Sequence, residues 1–307
     1  MSQALAEHAT QTIRAGSKSF AAASRLFEPD TRRSAVLLYA WCRHCDDVID
    51  GQLLGMERRS EIQRPASELL AELEASTHRA FAGKPVSEPA FAAFQEVVLK
   101  HRIPQRYALD HLRGFAMDVE GRQYQRIEDT LEYCYHVAGV VGVMMAIIMG
   151  ARDAPTLDRA CDLGIAFQLT NIARDIVEDA AIGRCYLPAE WLDEFGIAPA
   201  GLAAEQHRGA LAILARRLVD LAEPYYTSAL DGLPALPFRS AWAVATAHGV
   251  YRQIGIKVVE RGARAWDSRA FTTRAEKLRL AARGSWEVLA ARRREPRPRP
   301  DLYQRPY

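Results

Sequence analysis

Gln168–Asp179 reads QLTNIARDIVED. On a helix, residues four apart lie on one face, so Asn171, Asp175 and Asp179 form a single polar stripe, and Gln168, one turn earlier, joins it. The stripe follows the apolar run LGIAF (Leu163–Phe167), so it sits where a helix would otherwise be buried. Carboxylates are costly to bury unless a charged group meets them. Cys42–Gly51, CRHCDDVIDG, poses the same problem. Asp46 and Asp50 are four apart, Asp47 points elsewhere, and LLYAW (Leu37–Trp41) precedes them.

Aspartates stacked in this way repel one another. A hard divalent cation such as Mg²⁺ or Mn²⁺ reverses the sign, because it takes oxygen ligands and bridges carboxylates to substrate phosphates. For one such pair alone, an exposed acidic face or a salt bridge is the simpler reading. Two pairs in apolar surroundings, each with an arginine at hand (Arg43 and Arg174), describe a site for a diphosphate carrying an apolar tail.

The rest of the chain reads as helix almost throughout, with the strand alternation nearly absent. The periodicity predicts helices over Gln3–Ala15, Thr31–Ile49, Arg58–Ala80, Glu88–Lys100, Gln105–Met117 and Ile127–Met149. It predicts others over Thr156–Ala181, Ala189–Glu194, Ala204–Leu230, Phe238–Arg264 and Thr272–Arg292. Proline, glycine and N-cap signals agree: Pro29 to Thr31 open one helix, Gly150 closes another and GLPALPF (Gly232–Phe238) separates two. Val137–Met149 and Trp242–Val259 are apolar on more than one face, which places them at the centre of a bundle. These features predict one all-α domain over residues 1–290. The tail ARRREPRPRPDLYQRPY (Ala291–Tyr307) is basic, proline-rich and poor in aliphatics, and is expected to be disordered, with a weak attraction to anionic lipid.

Composition narrows the function. A net charge of +2 on 307 residues argues against nucleic acid as a partner. No apolar leader follows the first residues, and Val137–Gly150 falls short of the roughly 20 residues of a membrane span. Five cysteines without a paired framework suggest a reducing cytoplasm. Cys42 and Cys45 form a CxxC that lacks a second pair, so small buried helix residues explain them better than zinc does.

YAWCRHCDDVIDG (Tyr39–Gly51) and QLTNIARDIVEDA (Gln168–Ala180) closely resemble the two aspartate-rich signatures of the squalene/phytoene synthase family, the head-to-head isoprenoid synthases. GSKSF (Gly16–Phe20), YCYHVAGVVG (Tyr133–Gly142) and GRCYLP (Gly183–Pro188) extend the resemblance over about residues 10–290. The resemblance implies an all-α bundle around a deep central cavity. It implies Mg²⁺, with Mn²⁺ as the alternative, held by Asp46, Asp50, Asn171, Asp175 and Asp179. It also implies diphosphate contacts from Ser17, Ser19, Tyr39, Arg43, Arg174 and Tyr251, with Gln168 in the second substrate's site. For the serines, helix N-capping is an equal alternative. Tyr133 and Tyr186 match aromatic positions beside the reacting carbons, with plain core packing as the other reading. Gly139, Gly142 and Ala146 serve either close helix packing or room for an isoprenoid tail.

The implied reaction joins two geranylgeranyl diphosphates to phytoene through a cyclopropylcarbinyl diphosphate, opening carotenoid synthesis without NADPH. The same chemistry on farnesyl diphosphate, giving dehydrosqualene or squalene, is the alternative. A class I terpene cyclase and a non-catalytic scaffold relative are the remoter ones. Peripheral contact with membrane lipid for product release is implied, as are contacts with other enzymes of the carotenoid pathway.

Overall fold

Asp153 opens the longest helix by accepting a hydrogen bond from the Thr156 amide at 2.9 Å, with Pro155 in the first turn where its missing N–H costs nothing. That helix runs unbroken over Ala154–Ala181, 28 residues, and its apolar positions are buried along most of its length. Other helices pack around it. The computed structural model describes residues 18–53, 57–58 and 64–307. The predicted helix over Gln3–Ala15 lies outside the described residues.

Among the described residues the helices are α1 (Lys18–Ala23), α2 (Pro29–Asp50), α3 (Ala66–Phe81), α4 (Pro89–His101), α5 (Gln105–Val119) and α6 (Ile127–Ile148). They continue with α7 (Ala154–Ala181), α8 (Ala189–Asp193), α9 (Arg208–Leu230), α10 (Phe238–Arg261) and α11 (Arg274–Ala291). The all-α expectation holds. One small departure is an antiparallel pairing of Gln52–Leu53 with Glu57–Arg58, where helix was expected to begin at Arg58. α3 starts instead at Ala66, immediately after Pro65. α2 ends at Gly51, whose φ of 62° is left-handed and closes the helix one residue beyond Asp50.

α7 packs against α6, α9 and α10, and α2, α4 and α5 complete the bundle. α6 contains a π-helical turn over Tyr135–Gly139. The contact between α6 and α7 is backbone on backbone. A methyl group on Gly142 would come within 2.3 Å of the Ala160 carbonyl, and one on Gly164 within 2.2 Å of the Ala138 carbonyl. Both spellings of the small-residue pattern are therefore used: Gly139 packs on Cys161, Gly142 packs and also lines the cavity, and Ala146 lines it. α6 is 22 residues and apolar enough to cross a membrane by length and composition, longer than the apolar run suggested, but most of its apolar stretch is buried in the bundle.

The C-terminal tail departs from expectation. Beyond Ala291 it forms no helix and most of its residues are exposed, yet its arginines tie it as a strap to α7 and to the end of α9. Arg299 pairs with Asp162 at 2.6 Å, and the Asp162 side chain is fully buried. Arg305 pairs with Asp158 at 2.6 Å, and Arg297 holds Asp231 through its amide and its guanidinium. Tyr303 stacks on Tyr135 at 5.4 Å. Pro296, Pro298 and Pro300 keep the segment extended and remove amides that would otherwise need partners. The composition reads as disordered because its few apolar groups cannot build a core. Acidic side chains elsewhere in the fold supply the anchors that its composition cannot.

Replacing one member of a buried ion pair leaves the other uncompensated, at a cost of about 3–5 kcal/mol. Arg299→Ala is therefore expected to lower the melting temperature by about 5–10 °C. Calorimetry on the purified variant checks this, and an unchanged transition would show the strap to be ornamental.

Candidate active site

A cavity of about 870 Å³ opens between α2, α5, α6, α7 and α10. Its inner wall is apolar, with Leu38, Phe115, Val141, Met145, Leu163 and Ile254 among the lining groups. This is large for a ligand pocket, where about 300–1,000 Å³ is usual. Arg159 also lines the cavity, near the start of α7, and its guanidinium is held by Ser228 at 3.1 Å and by the Arg297 carbonyl of the strap at 2.9 Å. Charge is concentrated elsewhere on the lining, where Arg43, Asp46, Asp50, Asp118, Arg174, Arg184 and Arg269 are found.

The helix geometry delivers the first acidic pair as the spacing predicts. Asp46 and Asp50, near the end of α2, both line the cavity. Arg43 binds Asp46 at 2.8 Å with one nitrogen and Asp47 at 2.6 Å with another. Asp47, turned from the other two, is buried and supplies a second anchor for this arginine. Asp50 is held by Arg184, from the loop after α7.

On α7, Gln168, Asn171 and Arg174 line the cavity. Arg174 grips its neighbour Asp175 with two nitrogens, at 2.7 and 2.5 Å, and Arg269 reaches the same carboxylate at 2.9 Å. Asp175 and Asp179 stand beside the cavity and not on its lining. Asp179 lies in a small recess with Arg184, Cys185 and Tyr186. Arg184 thus touches Asp50 directly and exerts an attractive field on Asp179, linking the two acidic helix faces.

These acids feel their enclosure. Burial and the neighbouring Asp175 push the Asp179 carboxyl up to about 7, with Arg184 acting against them. Asp46 opens onto the cavity but is otherwise enclosed, and burial pushes it to about 6 against the pull of Arg43. Burial is the leading cause at both, and the arginines offset it only in part.

Tyr39 and Tyr251 line the cavity, and Tyr251 stacks on Phe167 at 4.1 Å. Tyr133 and Tyr186 stack on each other at 4.5 Å, and both hydroxyls donate to Asp118, at 3.2 and 3.1 Å. Ser17 lies outside the described residues, as does the side chain of Ser19, although α1 itself is formed. Sequence reasoning passed over Asp118, Arg184 and Arg269. Asp118 had a legible signal, since His111, Phe115 and Asp118 share one face of α5. Arg184 sits inside the GRCYLP segment, whereas Arg269 carries no local signal.

A divalent cation is tested by the donor chemistry. All five expected ligands present oxygen, which suits a hard cation. The Asn171 Oδ1 is buried without a hydrogen-bond donor. Among the described residues no three acidic, histidine or cysteine side chains converge by themselves on one point. The residues fit a cation shared with a bound anion, whose oxygens would complete its shell.

The sequence profile of the family "Squalene/phytoene synthase" matches residues 13–277. The chain belongs to the squalene/phytoene synthase family. It is 59% identical over 303 residues to the 15-cis-phytoene synthase of Pantoea ananas, covering 98% of both chains. It is 60% identical over 292 residues to that of Enterobacter agglomerans, covering 95% of this chain and 99% of the relative. Its fold superposes on a crystal structure of a dehydrosqualene synthase in complex with ligand, at a TM-score of 0.81 and 28% identity, over 94% of this chain and 98% of that one.

The family site carries a pH signature. Burial raises Asp118 to about 6, above the roughly 3.9 of an unfolded aspartate. The folded state therefore holds this proton more tightly than the unfolded state, and Asp118 subtracts stability as pH rises through about 4 to 6. Buried His111 and His248, lowered to about 4, act in the opposite direction, so the readout is a difference. Asp118→Asn is expected to gain stability relative to the parent as pH is raised from 5 to 7.5 in chelator-containing buffer. Parallel melting curves at all pH values would contradict the assignment.

Proposed function

We propose that the chain condenses two geranylgeranyl diphosphates head to head, giving phytoene through a cyclopropylcarbinyl diphosphate. The observation that supports this reading is one large apolar cavity lined by Asp46, Asp50, Asn171 and four arginines, with Asp175 and Asp179 beside it, in a chain that matches 15-cis-phytoene synthases over nearly its whole length.

The residues divide the work. Arg43, Arg174, Arg184 and Arg269 are paired with carboxylates and can turn to diphosphate oxygens. Asp46, Asp50, Asn171, Asp175 and Asp179 would hold Mg²⁺, or Mn²⁺, which when bound would neutralise the departing diphosphate as a Lewis acid. Tyr39, Gln168 and Tyr251 line the space beside them and orient the substrates; Ser17 and Ser19 are assigned to the same diphosphate site from the family motif alone. The apolar wall excludes water, which protects an allylic cation from capture. Asp118 fixes both tyrosine hydroxyls; Tyr133 lines the cavity, where its ring can favour positive charge, and Tyr186 stacks behind it and holds it in place.

The first ionisation releases diphosphate and leaves an allylic cation that is attacked by the double bond of the second substrate; loss of a proton from C1 of the ionised chain, which the released diphosphate can accept, closes the cyclopropane ring. The second ionisation and rearrangement join the two C1 carbons. Loss of a proton, which departing diphosphate can accept, then gives the central double bond. No electrons are supplied, so the reading needs no NADPH. The product is a hydrocarbon that water cannot dissolve, so peripheral membrane lipid is its natural sink, in a cytoplasmic setting, with the next carotenoid-forming enzyme as consumer.

Purified protein with Mg²⁺, detergent and either geranylgeranyl or farnesyl diphosphate, with and without NADPH, decides the substrate by mass-resolved chromatography. A forty-carbon hydrocarbon indifferent to NADPH is expected. A thirty-carbon product alone would move the assignment to the farnesyl substrate. Asp46→Asn and Asp175→Asn are each expected to lower turnover by about 10³-fold with an unchanged helical circular dichroism spectrum.

A further inference from the structure

α11 buries Leu280, Gly284, Val288 and Ala291 on its inner side, against α10, whose opposite face lines the cavity. Its outer side is not the polar surface this arrangement calls for. Leu278, Trp286 and Leu289 are 74%, 69% and 49% exposed, and at 3.6 residues per turn they fall within about 80° of one another. Phe271 precedes the helix at 64% exposure, and Phe238 stands beside Arg292 near its far end. Among the described residues, five of the nine exposed large hydrophobic side chains lie on or next to this one helix.

The charges around the stripe share one sign. Arg274, Arg279, Arg292 and Arg293 are exposed and have no carboxylate partner among the described residues. The helix's own acids are already engaged, Glu276 by Lys257 at 2.7 Å and Glu287 by Arg283 at 3.5 Å. A Trp- and Leu-bearing face bordered by free arginines is the pattern of a helix that lies in the headgroup region of a bilayer.

We propose that the outer face of α11 docks the protein onto a membrane surface rich in anionic lipid. Charge selects this occupant over a second copy of the chain. A symmetric dimer through the face would bring the same patch against itself, setting arginine against arginine, whereas lipid phosphates complement them. The docking face stands on its exposure and charge. That it serves transfer of a hydrocarbon product rests on the function proposed above.

The test is flotation of the full chain with vesicles of phosphatidylcholine alone or with phosphatidylglycerol added, at low and high salt. The parent is expected to float with the anionic vesicles and to lose about tenfold in binding at high salt. Leu278→Gln combined with Trp286→Gln, and separately Arg279→Glu combined with Arg292→Glu, should each weaken binding by about tenfold or more. Their condensing activity in detergent should match the parent, so that failure to bind lipid is separated from failure of the enzyme. Equal flotation of parent and variants, or indifference to phosphatidylglycerol, would overturn the proposal. So would a dimer in sedimentation velocity that the Leu278/Trp286 variant abolishes.

Discussion

Placing carboxylates beside an apolar cavity is the constraint on which this structure turns. Asp46, Asp50, Asp175 and Asp179 sit where burial raises the cost of their charge, and no arrangement of apolar helices could tolerate them unpartnered. Arginines answer most of that cost: Arg43 for Asp46, Arg184 for Asp50, and Arg174 with Arg269 for Asp175. Balance is incomplete, since Asp46 and Asp179 still hold protons more tightly than free carboxylates. Enclosed carboxylates that the arginines compensate only in part suit a cation and an anion arriving together, which is what a metal-bound diphosphate is.

The arginines of the cavity are held in two ways. At the acidic motifs, the arginines have carboxylate partners that a substrate can replace. Near the start of α7, Arg159 is bonded to Ser228 and to a backbone carbonyl of the C-terminal strap. Asp231 stands 3.6 Å away and is itself held by Arg297. This arginine is tied to the helix end and the strap, not to a carboxylate of the acidic motifs.

Much of this was legible in the sequence because helix geometry converts spacing directly into position. A step of four put Asp46 with Asp50, and both line the cavity; it put Asn171 with Asp175 and Asp179 on α7, where only Asn171 reaches the lining and the two aspartates stand beside it. Asp47 shows where spacing stops: it does turn from its neighbours, but it turns inward to Arg43, a fact of packing. Arg184 and Arg269 reach acids 134 and 94 positions away in the chain, so no local window could pair them. The tail misled for a related reason. Its composition is that of a disordered segment, and its order comes from Asp158, Asp162 and Asp231, which a reading of the tail alone cannot include.

The central claim is that the two acidic faces act together on a cation and a diphosphate. Isothermal titration with a geranylgeranyl thiodiphosphate, which ionises poorly, measures it most directly when run with Mg²⁺ and again with chelator. Binding should strengthen by about 10²-fold or more when Mg²⁺ is present, and Asp50→Asn or Asp179→Asn should erase most of that difference. Equal affinity with and without the metal would contradict the account, and would leave the arginines alone as the diphosphate site.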